Sequence, residues 1–449
     1  MNTYKRQMQI DIFKMILPIM LSSVLEMMVG FVSMALIGNL GAVAIGAMGL
    51  STRVRGLVWA VYKGIGIGAQ VVISQAVGAK DKIRIRHVIE QTIGSIVIIA
   101  LVFFLSMQLF PSFWLSIFNA KDHLLETAID VLRIVSLGFP FLGVVIVISG
   151  SFQGTGDAFT PMIINVFMNI SNAAIGIILV KGLFGLPALG LMGAAYAMFL
   201  AQAAAAVLGI FLLIRKKGLL SGIKIHHFFR FTKPILSAIY KTGIPSAVES
   251  LFWNISSIFI IRSMLTYGND AYASYQLGLQ AESLAYMPAA GFQIAATAYV
   301  GRFLGAEDPQ KAKDYFREVL KWALLVSLVG GGILIFLPKQ ILGIMTNDTT
   351  LIHNAVIYLI FCGLAQAPQN IAGVLGGALR GAGHTKLPMY AAGIGIYGVR
   401  IPLALLSAFV FHWPVYIIFL AIALDMIARL ILNSILYFKA KIYENPNIV

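Results

Sequence analysis

The chain has 449 residues, of which 59% are hydrophobic and 11% charged, and it carries a net charge of +15. A soluble domain has about 25% charged residues, so a water-soluble globular protein is excluded. The single cysteine, Cys362, excludes an intrachain disulfide and a cysteine-based metal site.

Apolar stretches long enough to cross a bilayer, about 20 helical residues each, recur along the chain. They predict helices over 12–36, 46–76, 88–108, 128–152, 159–180 and 188–214. A polar, basic stretch at 215–234 follows. Helices are then expected over 236–265, 272–303, 316–337, 351–379, 387–410 and 413–438. The expected fold is an all-α integral membrane protein of twelve transmembrane helices in two six-helix lobes. The expected lobes are 1–214 and 235–449, joined by the basic linker 215–234. An even number of spans places both termini on one side. Helix 1 is too long for a cleavable leader.

Basic residues select the cytoplasmic side. Lys5, Arg6 and Lys14, the loop GAKDKIRIRH, the stretch RKKGLLSGIKIHHFFRFTKP and the tail residues Lys439 and Lys441 fall on one side of the predicted spans. Opposite loops hold few, such as Lys121, Lys181 and Lys339. The positive-inside rule makes the basic side, with both termini, cytoplasmic in a bacterial-type inner membrane. The positive charge thus follows topology, and a nucleic-acid partner is not expected.

The two halves repeat. Pro18, Gly41 and Gly64 recur as Pro245, Gly268 and Gly291, and Gly78, Ala79 and Asp81 recur as Gly305, Ala306 and Asp308. Gly150, Gly154, Gly156, Pro161 and Met162 recur as Gly377, Gly381, Gly383, Pro388 and Met389. A single offset of 227 residues (245 − 18) relates all of them without a gap. Glycine and proline carry special backbone geometry, so this spacing marks a tandem duplication. Six spans per copy give both copies the same orientation and a pathway between them.

Several of these residues also carry a likeness to a known family. FQGTGDAFTPM (152–162) and LRGAGHTKLPM (379–389) resemble the paired signature of the multidrug and toxic compound extrusion family. VISQAVGAKD (72–81), YVGRFLGAED (299–308), GIP (243–245), Asn172 and RIPL (400–403) add to the resemblance. It implies twelve helices in two lobes, and export of organic cations or other amphipathic compounds driven by a proton or Na⁺ gradient. Proton-coupled members of the family carry acids where this chain has Ser33 and Gly176. Other members carry an acid where it has Gln369, so the coupling ion does not carry over.

Ionisable groups inside spans cost at least about 2.5 kcal/mol each on insertion scales and need a reason. Glu26 shares a helix face with Ser22 and Ser33 and is a candidate proton or cation site, or a hydrogen-bonded structural acid. Glu249, one turn before Trp253, suits an organic cation that gains from both charge and ring, or a structural pairing. Glu282 stands at the repeat position of Arg55. The two are expected either to pair between lobes in one state of a cycle or to be neutralised within their own lobes. Asp425 has Arg429 four residues on and can be neutralised by it. The ion-coupling candidates are therefore Glu26, Glu249, Glu282, Asp425 and Asn172. Substrate-binding candidates are Met27, Phe31, Ser33, Met34, Arg55, Trp253, Asn254, Tyr286, Met287, Gln369 and Asn370. Methionine and aromatic side chains adapt to varied ligands. Arg53, Arg55 and Lys63 open the alternative of an anionic substrate such as a lipid-linked saccharide.

No GxxxxGK loop, HExxH motif or nucleophile elbow occurs, so neither ATP drive nor enzymatic activity is expected. The expected protein is a monomeric secondary antiporter among membrane lipids. It needs no cofactor beyond H⁺ or Na⁺, and small molecules are its substrates.

Overall fold

Backbone groups in hydrocarbon must close their hydrogen bonds internally. Accordingly, the computed structural model is helical, with no strand among the described residues. These are 3–38, 40–118, 122–215, 219 and 225–448; side chains at Phe31, Val32, Met34, Ala35, Gly38, Ala42, Asp122, His123, Ile225 and His226 are not described. The roles expected of Phe31 and Met34, Lys121, and part of the linker therefore lie outside the description.

The first repeat runs through α1 (Thr3–Gly38), α2 (Ala42–Gly78), α3 (Lys82–Leu109), α4 (Pro111–Ser116), α5 (Asp122–Ser136), α6 (Phe139–Thr155), α7 (Phe159–Lys181) and α8 (Gly190–Ile214). A 3-10 turn, Ile225–Phe229, precedes α9 (Lys233–Leu265), α10 (Asn269–Gly305), α11 (Pro309–Phe336), α12 (Pro338–Met345), α13 (Thr349–Gly381), α14 (Lys386–Gly395), α15 (Ile401–Leu405) and α16 (Tyr416–Ala440). Among the described residues ten segments are long and apolar enough to cross a membrane, and α5 with α6 makes an eleventh. The twelfth expected span is α10, long enough at 37 residues but more polar.

Two predicted spans are not continuous helices. The expected helix 128–152 is α5 and α6, bent by 48°. Gly138 precedes α6, and Pro140 in its first turn lacks the N–H that would carry the helix through. The expected helix 387–410 widens into π-turns at Ile396–Arg400 and Leu406–Val410, on either side of Pro402. The short helices α4 and α12 were not expected; both open on proline, at the repeat-related positions Pro111 and Pro338.

The chain forms two compact units, one of residues 1–20, 74–81 and 248–449, the other of 21–73 and 82–247. In the first, the opening turns of α1 pack on the second repeat. Tyr315 donates to an Asp11 carboxylate oxygen (3.0 Å), Tyr299 to the Asp11 carbonyl (2.6 Å) and Gln9 to Glu318 (2.6 Å). Phe13 meets Trp322 edge-on at 4.8 Å. In the second, the opening turns of α9 pack on α2, where a Cβ at Gly64 would overlap Ala247 and one at Gly68 the Ile239 carbonyl. Each unit thus holds the first turns of the other repeat's opening helix, up to just past Pro18 and Pro245. These groupings cut the chain differently from the expected boundaries at 214 and 235.

Repeated glycines make repeated contacts. A Cβ at Gly150 would lie 2.5 Å from the Gly66 carbonyl, and one at Gly377 would lie 2.4 Å from that of Gln293, the same pair 227 residues on. Gly154 against the Gln70 carbonyl recurs as Gly381 against that of Thr297. The turns recur too. Lys80 and Glu307 both take left-handed backbone (φ 57° and 56°), as do Gly156 and Gly383 (φ 91° and 82°). Ends of α2 and α10 also touch reciprocally within the first unit, Gly78 on the Arg302 carbonyl and Gly305 on that of Gln75. Such an exchange of equivalent residues is the mark of a local twofold axis.

Adding side-chain bulk at these contacts forces the helices apart, at about 1–3 kcal/mol for an overpacked site. Gly150→Val and Gly377→Val should each lower the thermal unfolding midpoint of the detergent-purified protein. Gly343→Ala, where a Cβ meets nothing within 4 Å, should leave it unchanged.

Candidate functional site

Helix α1 carries Glu26 and Ser33 on one face, α2 carries Thr52, Arg53 and Arg55, and α7 carries Asn169 and Asn172. Within the second unit these residues surround a cavity of about 550 Å³. Met48, Met168 and Met198 supply apolar wall, and Gly176 and Gln202 complete it on the α7 and α8 sides. The positions where the family resemblance points to a first-lobe site, 33, 172 and 176, thus face one chamber.

Glu26 is the only acid among these lining residues, beside two guanidinium groups. It is accessible at the cavity wall while protein encloses much of its surroundings. Arg55 and Lys63 are the cations that act on it electrostatically. Lys63 in turn lies 4.7 Å from the Trp59 ring centroid. The Nε of Arg55 and the Oε1 of Gln202 are buried with no hydrogen-bond partner among the described residues. Buried polar groups normally find partners, and these two lack them while having almost no accessible surface. Met27 lies half-buried on α1, one residue along from Glu26.

The first unit is arranged differently. Both Glu249 oxygens accept from Nη2 of Arg380, at 2.8 and 2.6 Å. Asp425 accepts a hydrogen bond from Nε of Arg429 at 2.9 Å and forms an ion pair with Nη2 of Arg400 at 2.8 Å. These same two guanidinium groups lie over the Trp253 ring, 4.5 Å (Arg400) and 4.1 Å (Arg429) from its centroid. The acid and ring that the sequence marked for an organic cation are therefore occupied by the protein's own arginines. The Asp425–Arg429 contact has the spacing expected; the Arg400 and Arg380 contacts did not emerge from local spacing. Two signals were available for them, an arginine within the GALRG run and another in RIPL, both inside apolar spans.

Glu282, buried on α10, accepts from the Tyr358 hydroxyl at 2.5 Å. Its repeat counterpart Arg55 faces Glu26 in the other unit, so each has a polar neighbour within its own unit. Asn254 donates to the Ser250 carbonyl of its own helix (2.9 Å), and Asn370 to the Ser327 hydroxyl (2.8 Å). Tyr286 and Gln369 line a small cavity of about 70 Å³ with Glu249, Trp253, Arg380 and Arg429. Met287 lies half-buried beside Tyr286.

Comparison with known proteins places this architecture. A probable multidrug resistance protein NorM of Thermotoga maritima is 27% identical over 439 residues, 96% of this chain and 92% of that one. The probable multidrug resistance protein YoeA of Bacillus subtilis is 26% identical over 395 residues, 87% and 84% of the two chains. Among solved structures, a MOP-superfamily transporter from Pyrococcus furiosus, described as having a binding pocket of reverse polarity, matches with TM-score 0.88 at 18% identity over 96% of this chain and 95% of that one. A MATE transporter in an outward-facing conformation matches with TM-score 0.85 at 18% identity over the same shares. At that identity the likenesses speak to the fold. The family model MatE matches twice, at residues 18–178 and 245–406, once on each repeat, and the chain belongs to that family.

Proposed function

We propose that this multi-pass membrane protein is a secondary active exporter of amphipathic and organic cationic compounds. It exchanges them for protons or Na⁺ by alternating access, as a monomer with both termini in the cytoplasm. The chamber in the second unit, where Glu26 stands beside Arg55, carries this reading, and the names of the multidrug resistance relatives support it.

Glu26 is the group to exchange the coupling ion. A carboxylate attracts a cationic substrate and a protonated one does not, so the two compete for one site, which is what antiport requires. Binding shifts a conformational balance only by its differential affinity for the two states. In this scheme Glu26 meets that condition by lining the chamber beside Arg55. Glu249 and Asp425, each closed by arginine, serve as fixed structure in this scheme, and no small-molecule cofactor is required. Arg53 and Arg55 favour a second reading, a flippase of lipid-linked saccharides, whose phosphates they would hold. Accumulation of lipid-linked precursor in cells lacking the protein would favour it over drug export.

Two outcomes test the assignment. In proteoliposomes with an imposed proton or Na⁺ gradient, the wild-type chain should move a fluorescent organic cation, and Glu26→Gln should not. Gradient-driven transport by the variant at the wild-type rate would remove Glu26 from the role.

The Glu249–Arg380 contact gives the other. Breaking a buried ion pair from one side costs roughly 3–5 kcal/mol, less here because the Glu249 side chain keeps 19% exposure. Glu249→Gln and Arg380→Gln should each lower thermal stability, and the double variant should recover part of the loss. Strict additivity in that cycle would mean that the two groups do not stabilise each other.

A further inference from the structure

The basic stretch between the repeats does not simply mark topology. Its described end is fastened to α3. Gln91 Nε2 donates to Thr232 Oγ1 at 2.9 Å, and the Thr232 amide and hydroxyl donate back to Gln91 Oε1 at 2.9 and 3.2 Å. Nearby, Gly94 admits the Phe228 carbonyl so closely that a Cβ at that position would overlap it. Both contacts lie within the second unit, and they fix the 3-10 turn Ile225–Phe229 and the residues after it against the start of α3.

Between the two elements lies a half-open cavity of about 610 Å³. Lys82, Arg86 and His87 reach it from α3, and His227 and Arg230 from the fastened segment. The one acid there, Glu90, is buried and satisfied by Arg86 Nε at 2.8 Å. Positive charge is therefore in excess, and the amino end of the 28-residue helix α3 adds partial positive charge in the same place. Charge that served topology alone would need only to lie on one side of the bilayer. It would not need to converge from two elements, more than a hundred residues apart in sequence, onto one cavity.

Beside this basic cavity stand exposed apolar side chains. Ile83 is 71% exposed, Phe229 53% and Phe231 40%. All three lie where membrane spans end, and aromatic rings favour the interface between headgroups and acyl chains. Phosphate chemistry suits the cavity, and the apolar rim selects its source. We propose that this cavity binds the phosphate headgroup of an anionic phospholipid, with the acyl chains running past Ile83, Phe229 and Phe231. Basic pockets between helices at a membrane face hold such headgroups in this way. A bound lipid would join α3 to the segment linking the repeats. The site stands apart from the export chamber and does not depend on the export reading.

The test uses the full-length protein in detergent, titrated with phosphatidylglycerol, with phosphatidylcholine or with inorganic phosphate, and bound lipid counted by native mass spectrometry. The wild type should prefer phosphatidylglycerol. Lys82→Gln with Arg230→Gln should reduce that preference on the order of 30-fold, two basic contacts being lost. Both side chains are exposed, so the fold should tolerate the change, and the single Arg230→Gln should show part of the effect. Lys339→Gln, on exposed α12, should have none. Inorganic phosphate should not displace the lipid. An unchanged preference in the double variant, or an equal loss in Lys339→Gln, overturns the site. Displacement by inorganic phosphate, together with no preference between the two lipids, overturns the lipid and leaves a soluble anion.

Discussion

A charge inside a bilayer has no water to turn to, and the two units of this protein meet that constraint with different arrangements. In the first unit it is met by ion pairs and ring contacts, with buried nitrogens of Arg380 and Arg400 left without a hydrogen-bond partner among the described residues. Arg380 closes Glu249, Arg400 and Arg429 close Asp425, the Trp253 ring lies beneath both of those guanidinium groups, and Tyr358 serves Glu282. Little room is left, a cavity of about 70 Å³. In the second unit Glu26, Arg53 and Arg55 stand instead around about 550 Å³. Buried ion pairs are costly to break from one side, which makes the first arrangement a framework. An acid with room in front of it can change partners, which suits the second to transport.

The duplication explains how two such different halves share one backbone. Contacts that set helix spacing are kept at the repeat offset: Gly150 on Gly66 and Gly377 on Gln293, with the same left-handed turns at Lys80 and Glu307. Charges are not kept. Where the first copy has Ser22, Glu26, Arg55 and Gln153, the second has Glu249, Trp253, Glu282 and Arg380. Close helix approach needs an absent side chain and tolerates little else. A cavity wall tolerates many residues, so the copies diverged there.

This difference also governs how much could be read from the chain. The helical membrane fold, the repeat and the family were legible because each rests on residues with a fixed backbone meaning or on long apolar runs. The break in 128–152 was less so, since Gly138 and Pro140 lie within an otherwise continuous apolar run. Glu26 and Arg55 stood out singly as charges among apolar neighbours and Asn172 through the family resemblance; that all three line one cavity is seen only in the fold. Arg380 and Arg400 were not linked to Glu249 and Asp425 because those contacts span 131 and 25 residues (380 − 249 and 425 − 400). No local periodicity reports a pairing of that range. At Trp253, where the sequence suggested an organic cation or a structural pairing, the cations seen are Arg400 and Arg429.

Coupling depends on which charges have somewhere to go. A group drives a conformational change only if its free energy differs between the states. For Glu249 such a difference would mean separating it from Arg380, leaving a guanidinium that is 4% exposed and already has Nε and Nη1 unpaired. That route is uphill before any substrate binds. In the proposed scheme Glu26 lines its chamber beside Arg55, where a proton or cation can reach it. In the proposed exchange, a proton or cation arriving at Glu26 alters its attraction for Arg55. Movement of one small charge can thus be felt along both α1 and α2 without first dismantling the arginine framework of the other unit.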